Sequence, residues 1–326
     1  MTTSVKEKFL GCIVGTGVGD ALGAPFEGSP PGQLFPSEGG KFYYEGLFRY
    51  PLGQYTDDTQ MTLAIMRAII KEGRVEGRAI AEQFVPLWQR GEIVGPGGSC
   101  TEAVLNLLSG RVSWEEAGTP RGRAGNGAAM RVSPIGLWDY DHPERIIPDA
   151  TTASIITHRD ERSVAGAIAV ATTVAYGVNH DTVDGEELIG LLVSATSGVH
   201  SGFARTISQL PRWLRINEEE AVEEIIRSGE PEIGLEGWGG GVTPYVIPTV
   251  LICLYYFIRS PNSFLPNVVK VINVGGDTDT TGAIQGAMSG AFNGIGAIPE
   301  HLVEGLKDSR DIIELTEDFY QQKHRG

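Results

Sequence analysis

The sequence predicts an all-α fold, a compact orthogonal helical bundle with glycine-striped central helices. Helical patterns recur along its 326 residues, whereas alternating strand patterns are scarce. Two rows of glycines spaced by four indicate helices that pack closely against neighbours. Two helix starts are crowded with Thr and Asp. No low-complexity linker divides the chain, so we expect a single domain over residues 1–326.

Helix starts are marked by side-chain oxygens placed before apolar-periodic runs. The predicted N-caps are Thr56, Ser99, Asp160, Asp184 and Asn217. We expect the second of these helices to end at Gly110 and the third at Gly177. The apolar run 245–258 is too short to span a bilayer and contains Pro248, so it predicts a buried helix. Only residues 42–50 resemble a strand pattern, and they predict a short hairpin.

The glycine rows explain which helices should be central. The first row is Gly11, Gly15, Gly19 and Gly23, and the second is Gly282, Gly286, Gly290 and Gly294. Each helical glycine costs about 0.5–1 kcal/mol relative to alanine, so close helix–helix approach must offset that cost. A third row of small residues at 165, 169, 173 and 177 could join them. The first glycine helix leads to Glu27 and the second begins at an acidic cluster, so both chain ends should reach one site.

Composition disfavours several classes of protein. The net charge of −15 disfavours general nucleic-acid binding, because an acidic surface repels phosphate backbones. The three cysteines, Cys12, Cys100 and Cys253, form no CxxC pair, which disfavours a disulfide framework or a thiolate metal site. The apolar N-terminal run is interrupted by glycines and does not resemble an export signal. We expect a cytoplasmic monomer that does not bind membranes.

Two oxygen-rich clusters point to divalent metal ions. Thr56, Asp57 and Asp58 form the first, and Asp277, Asp279 and Thr280 form the second. Carboxylates this close repel one another unless cations lie between them, and oxygen-only sets suit Mg²⁺ or Mn²⁺. Four carboxylates in one pocket would need roughly two divalent ions. The sequence therefore predicts a two-metal cleft, although each cluster taken alone could be an over-acidic helix cap.

Two other motif assignments compete with the metal cleft. The stretch DTDTT (277–281) matches the DxDxT motif of metal-dependent phosphatases, but that motif follows a strand in a doubly wound domain. Residues 15–20 partly match a dinucleotide fingerprint, but its third glycine would fall on Asp20. We expect neither, and keep the phosphatase as an alternative function.

Five motifs together resemble the ADP-ribosylglycohydrolase family. They are GDALGAPFEG (19–28), YTDDTQM (55–61), GNGAAMRVSPIGL (125–137), THRD (157–160) and NVGGDTDTTGAIQGAMSGAFNG (273–294). They occur in family order across most of the chain. The resemblance implies an all-α domain with a two-metal site and a hydrolase that releases ADP-ribose from ADP-ribosylated protein, with arginine as the favoured acceptor. A non-catalytic, crystallin-like relative is the alternative.

The resemblance also implies roles for individual residues. Both oxygen-rich clusters match metal-binding motifs, and Glu27, Asp57 and Asp58 are candidates for the catalytic carboxylate. The segment 121–127 matches a loop that holds the diphosphate and distal ribose, and His158 matches a histidine near ADP-ribose. The implied substrate-binding residues are Arg121, Gly122, Arg123, Gly125, Asn126, Gly127 and His158. Arg123 and Ala124 depart from some relatives, which carry a serine and an aromatic residue there.

Overall fold

The computed structural model describes residues 3–37, 40–46, 50–229 and 237–325. Within these residues the chain forms seventeen α-helices and two 3-10 helices, and β-pairing is limited to isolated bridges. The predicted all-α fold is confirmed. The described part of the predicted hairpin, 42–46 and 50, contains no strand, and residues 47–49 lie outside the described residues.

Most of the helices follow one another through short connections. The 3-10 helices are Ala24–Phe26 and Ile295–Ala297. The α-helices are α1 (Val5–Gly23), α2 (Asp57–Glu72), α3 (Gly77–Gln89), α4 (Gly98–Leu108), α5 (Trp114–Ala117), α6 (Ser133–Trp138), α7 (Pro143–Ile155), α8 (Glu161–Asn179), α9 (Gly185–Ser197), α10 (Ser201–Ile207), α11 (Leu210–Trp213), α12 (Glu218–Ile226), α13 (Val246–Arg259), α14 (Phe264–Asn273), α15 (Thr278–Asn293), α16 (Glu300–Gly305) and α17 (Ser309–Lys323). Longer segments precede α2, α6 and α13.

Three of the predicted N-caps form capping hydrogen bonds within their own helices. The side chains of Asp160, Asp184 and Asn217 accept hydrogen bonds from backbone amides at the starts of α8, α9 and α12. The prediction for α4 was wrong at its start, because this helix begins at Gly98 with Gly97 as its N-cap. Helix α8 continues two residues past Gly177.

Helices α1 and α15 form the centre of the fold and run antiparallel. A Cβ added at Gly15 would collide with the carbonyl oxygen of Gly286, and one at Gly286 would collide with that of Gly15. Gly19 faces Gly282 and Gly11 faces Gly290 in the same way. Only hydrogen in place of a side chain lets the backbones approach this closely. The C-terminal end of α1 is therefore held beside the N-terminal end of α15.

The third row of small residues also packs against this pair. Gly177 of α8 lies against the backbone of Ala291 and Phe292 in α15. The predicted buried helix is α13, whose residues 246–257 are all buried. Among the described residues, one stretch, Val5–Phe26, is long and apolar enough to cross a membrane, and 94% of its apolar window is buried inside the fold.

Candidate functional site

The two oxygen-rich clusters converge on one cavity of about 240 Å³, although 219 positions separate Asp58 from Asp277 in the sequence. The cavity is lined by the residue after the first 3-10 helix, by the starts of α2, α4 and α15, and by the segments before α6, α8 and α13. Its lining residues are Glu27, Asp57, Asp58, Gly95, Gly97, Gly98, Ser99, Cys100, Gly125, Asn126, Gly127, Met130, His158, Trp238, Pro244, Asp277, Asp279 and Thr280.

The first cluster is positioned by a carboxylate from another helix. Thr56 occupies the N-cap position of α2, but its side chain makes no capping hydrogen bond. Asp20 of α1, which is fully buried, instead accepts hydrogen bonds from the Thr56 and Thr59 amides at 2.9–3.1 Å. The hydroxyl groups of both threonines donate to it at 3.0 and 2.6 Å. Asp20 thus fixes the helix start that carries Asp57 and Asp58.

The second cluster is positioned by paired backbone segments. Gly275 and Gly276 have φ of +79° and +84°, a region that favours glycine. The Gly276 amide donates to the Ser29 carbonyl at 2.9 Å, and the Asp277 amide donates to the Val242 carbonyl at 2.7 Å. The chain before α15 therefore lies between the segment after Glu27 and the segment before α13. These bonds bring Glu27 next to Asp277.

Glu27, Asp277 and Asp279 can converge on one ion, because one carboxylate oxygen from each lies within 4.8 Å of the others. Lost solvation raises the pKa of Glu27 to about 7, and the negative charges of Asp277 and Asp20 add to the shift. Glu27 is the most solvent-exposed of the three. It therefore lies where a substrate entering the cavity would meet it.

The remaining carboxylates of the cavity are buried close to one another. Burial, followed by the charges of neighbouring carboxylates, raises the pKa of Asp57, Asp58 and Asp279 well above the usual range. The buried Oδ1 atom of Asp58 has no hydrogen-bond partner among the residues that the structure describes. Buried charges are normally paired or bound to metals. The donor set and the unpartnered oxygen fit divalent cations.

The loop before α6 forms the opposite wall. The Asn126 side-chain amide donates to Asp277 at 2.7 Å and to the Thr249 hydroxyl at 3.1 Å, so this loop is tied to the second cluster. Gly125 and Gly127 lie against the His158 ring. Burial, and then the charge of Arg131, lowers the pKa of His158 to about 3, so the ring is neutral near pH 7.

Four predicted site residues lie outside the cavity lining. Arg121 pairs with Glu161, and Arg123 pairs with Glu102; both arginine side chains are more than half exposed. The Gly122 amide donates to Asp160 at 2.7 Å. The Thr56 hydroxyl lies within hydrogen-bonding distance of both Asp20 and Asp58. The roles of these four residues in binding remain predictions.

Sequence reasoning missed two buried residues that organise the site. Asp20 lies within GDALG and Arg131 within GNGAAMRVSP, but these motifs alone indicate no role for either residue. Both lie at most 1% exposed behind the cavity. A charged residue that follows an uncharged, largely apolar run, as Asp20 follows residues 9–19 of α1, was the available signal. Cys100, Met130, Pro244 and Trp238 also line the cavity without having been assigned as site residues.

The structure does not provide the setting of a DxDxT phosphatase motif. That motif follows a strand, whereas DTDTT follows α14 and a two-glycine turn. The residues of the partial dinucleotide fingerprint lie within α1. Neither motif has the local structure that its function requires.

Comparisons of the sequence and of the fold with known proteins point to the same family. The family model described as ADP-ribosylglycohydrolase matches residues 1–326. The chain is 29% identical to the ADP-ribosyl-[dinitrogen reductase] glycohydrolase of Rhodospirillum rubrum, covering 91% of this chain and 89% of that protein. It is 24% identical to the ADP-ribosylhydrolase ARH3 of Gallus gallus, covering 97% and 94%. A solved structure, titled ADP-ribosylglycohydrolase-related protein complex, superimposes with a TM-score of 0.73 at 25% identity, covering 98% of this chain and 99% of that one.

Proposed function

We propose a function from one premise: the chain belongs to the ADP-ribosylglycohydrolase family. Membership and the names of its relatives support ADP-ribosyl hydrolase activity. The specific proposal is that this protein cleaves the glycosidic bond between ADP-ribose and a protein side chain, with the help of divalent metal ions. The observation that carries it is the convergence of Asp57, Asp58, Asp277, Asp279 and Glu27 on one cavity.

Two divalent cations, Mg²⁺ or Mn²⁺, are proposed as cofactors. The residues that would hold them are Thr56, Asp57, Asp58, Asp277, Asp279 and Thr280, with Glu27 beside them. The all-oxygen donor set and the unpartnered Oδ1 of Asp58 support this choice. When bound, such ions orient ribose hydroxyls and lower the pKa of a bound water.

Acid/base catalysis and substrate binding are assigned to residues of the protein itself. Glu27 is the proposed general acid/base, because it is exposed at the cavity and adjoins Asp277 and Asp279. A carboxylate there can move a proton and stabilise positive charge that develops on the ribose ring. Gly125, Asn126, Gly127 and His158 are proposed to bind ADP-ribose. The proposed contact of Arg121 and Arg123 with the diphosphate would require these exposed side chains to leave their glutamate partners.

The proposed acceptor is an arginine side chain. Relatives named for arginine substrates include the ADP-ribosylarginine hydrolase Tri1 of Serratia proteamaculans, which is 27% identical over 96% of this chain and 79% of that protein. An activity panel of arginine-linked, serine-linked and nucleic-acid-end ADP-ribose tests the acceptor. Faster release from serine than from arginine would reject the arginine assignment without rejecting the hydrolase.

The metal and catalytic assignments are tested by substitution. Asp57→Ala and Asp279→Ala should each lower turnover by about 10³-fold or more and abolish tight Mg²⁺ or Mn²⁺ binding, while helical circular dichroism is retained. Asp318→Ala, an exposed acid on α17, is the matched control and should keep full activity. Glu27→Gln should retain ADP-ribose binding by calorimetry but slow turnover by about 10²-fold or more. Full turnover in either metal-site variant would refute the metal assignment.

A further inference from the structure

Arg131 is a buried cation that contacts several walls of the cavity from behind. Its guanidinium is 1% exposed and stacks 4.8 Å from the Phe84 ring centroid. Nη1 donates to the Gly127 carbonyl at 2.9 Å and lies 3.6 Å from the Cys100 sulfur. Among the residues that the structure describes, no carboxylate forms a salt bridge with it. Burying a charge in this way costs desolvation free energy unless the charged group forms compensating hydrogen bonds with the surrounding structure.

The other end of the guanidinium reaches His158 through one hydroxyl group. Nη2 donates to the Thr157 Oγ1 at 2.6 Å, and that Oγ1 lies 2.8 Å from His158 Nδ1. Arginine can only donate, so Thr157 accepts from it. Thr157 is fully buried, and within the described part of the chain His158 Nδ1 is the remaining partner of its O–H. A buried hydroxyl hydrogen left unpaired is costly, so Thr157 donates to Nδ1.

This direction of donation assigns the tautomer of His158. If Nδ1 accepts a hydrogen bond, the neutral ring carries its proton on Nε2. Nε2 has no protein hydrogen-bond partner among the described residues. It lies 3.0 Å from the position of a Cβ added at Gly125 and 3.3 Å from one at Gly127, so the two glycines leave room for the ring at the cavity wall.

We propose that Arg131 and Thr157 are positioning residues that hold His158 as the Nε2–H tautomer and aim that N–H into the cavity as a hydrogen-bond donor. Arg131 also holds the Gly127 carbonyl, so one side chain aligns the glycine loop and the histidine. The ligand of the N–H is an oxygen of ADP-ribose, and this part rests on the proposed function. The tautomer itself is independent of any ligand.

The tautomer can be measured directly. Long-range ¹⁵N–¹H spectra of protein labelled at its six histidines, with His158→Gln to identify the signal, should show the Nε2–H pattern in the wild type. Thr157→Val keeps the side-chain shape but removes the hydroxyl, and should give a mixture of tautomers. Thr157→Ser restores the hydroxyl and should restore the wild-type pattern. An Nδ1–H pattern in the wild type, or an unchanged pattern in Thr157→Val, would overturn the proposal.

Binding gives a second measurement. Calorimetry should show ADP-ribose binding about tenfold weaker in Thr157→Val and near the wild-type value in Thr157→Ser, as expected for a misdirected hydrogen bond. Equal affinity in all three proteins would reject ADP-ribose as the acceptor of the N–H. A wild type that binds no ADP-ribose would instead reject the proposed function, while the spectra still decide the positioning role. If Thr157→Val does not fold, the wild-type spectrum alone decides the tautomer.

Discussion

The two oxygen-rich clusters look alike in sequence but are built by different means. At the start of α2, a carboxylate from α1 does the capping, since Asp20 accepts from both amides and both hydroxyls of Thr56 and Thr59. At the start of α15, backbone does the positioning, through Gly275 and Gly276 at positive φ. One cluster depends on a buried charge and the other on the absence of side chains.

Similar residue types at two helix starts therefore do not imply that the same kind of contact holds them in place. Both clusters nevertheless depend on the α1–α15 contact, because α1 carries Asp20 and α15 carries Asp277 and Asp279. Substitutions can therefore be chosen to disturb both clusters, only the second or only the first.

The largest effect should come from breaking the shared contact. Gly286→Ala places a methyl group against the Gly15 backbone, which cannot rotate away, so the helices must separate. We expect a loss of about 3 kcal/mol in the free energy of unfolding, at the upper end of overpacking costs. Gly190→Ala in α9 meets nothing within 4 Å and is the matched control. It should stabilise by about 0.5–1 kcal/mol. Urea denaturation measures both, and equal signs would contradict the close-packing account.

The next effect isolates the second cluster. Gly276→Ala forces a φ of +84° on alanine and drives its Cβ into the Val242 backbone, so we expect a loss of about 2–3 kcal/mol and reduced metal affinity. Gly110→Ala has a φ of +66° with open space around it, and should lose only about 1 kcal/mol. Thermal unfolding and metal titration of these two variants separate the cost of a positive φ from the cost of the Cβ collision. A Gly276→Ala protein as stable as Gly110→Ala would show that the close approach of the Gly276 and Val242 backbones is not needed to position the second cluster.

A smaller effect isolates the first cluster. Asp20→Asn turns one acceptor oxygen into an N–H₂ group among four donors, and should cost about 2 kcal/mol. Asp184→Asn at the α9 N-cap is the control, because asparagine caps a helix locally as well as aspartate does. We expect that control to change stability by less than about 0.5 kcal/mol. Chemical denaturation should separate the two, and a neutral Asp20→Asn would disprove the interhelical cap.

The smallest effect concerns pH in the metal-free protein. Folding raises the pKa of Glu27 from 4.5 to about 7, through lost solvation and then neighbouring charge. An acid with a raised folded pKa contributes stability that is fully present below its unfolded pKa and lost as pH rises through the folded one. Chelated protein should therefore lose stability from about pH 4.5 to 7. Urea midpoints across this range test the sign, and Glu27→Gln should flatten the slope. A rise in stability with pH would contradict it.

Local patterns predicted many of the longer helices. Asp160, Asp184 and Asn217 satisfy amides two or three positions away, so their capping could be predicted from adjacent residues. Ser99 was misassigned because Gly97 and Gly98 offer no side-chain signal of where α4 begins. The two glycine rows predicted that both helices pack closely against neighbours. That they pack antiparallel against each other, with Gly15 facing Gly286, is visible only in the structure.

The helical class, the glycine-striped centre and the two oxygen-rich clusters can be predicted from the sequence, because periodicity and side-chain chemistry are properties of nearby residues. The packing of the helices is what makes Asp20 cap α2, lets Arg131 reach His158 through Thr157, and turns Arg121 and Arg123 toward glutamates outside the cavity. Each of these contacts joins residues that lie 21 to 40 positions apart in the sequence. The geometry of each contact depends on how the helices pack. No spacing rule encodes such contacts, since hydrogen-bond direction is set only once the backbone around both partners is in place.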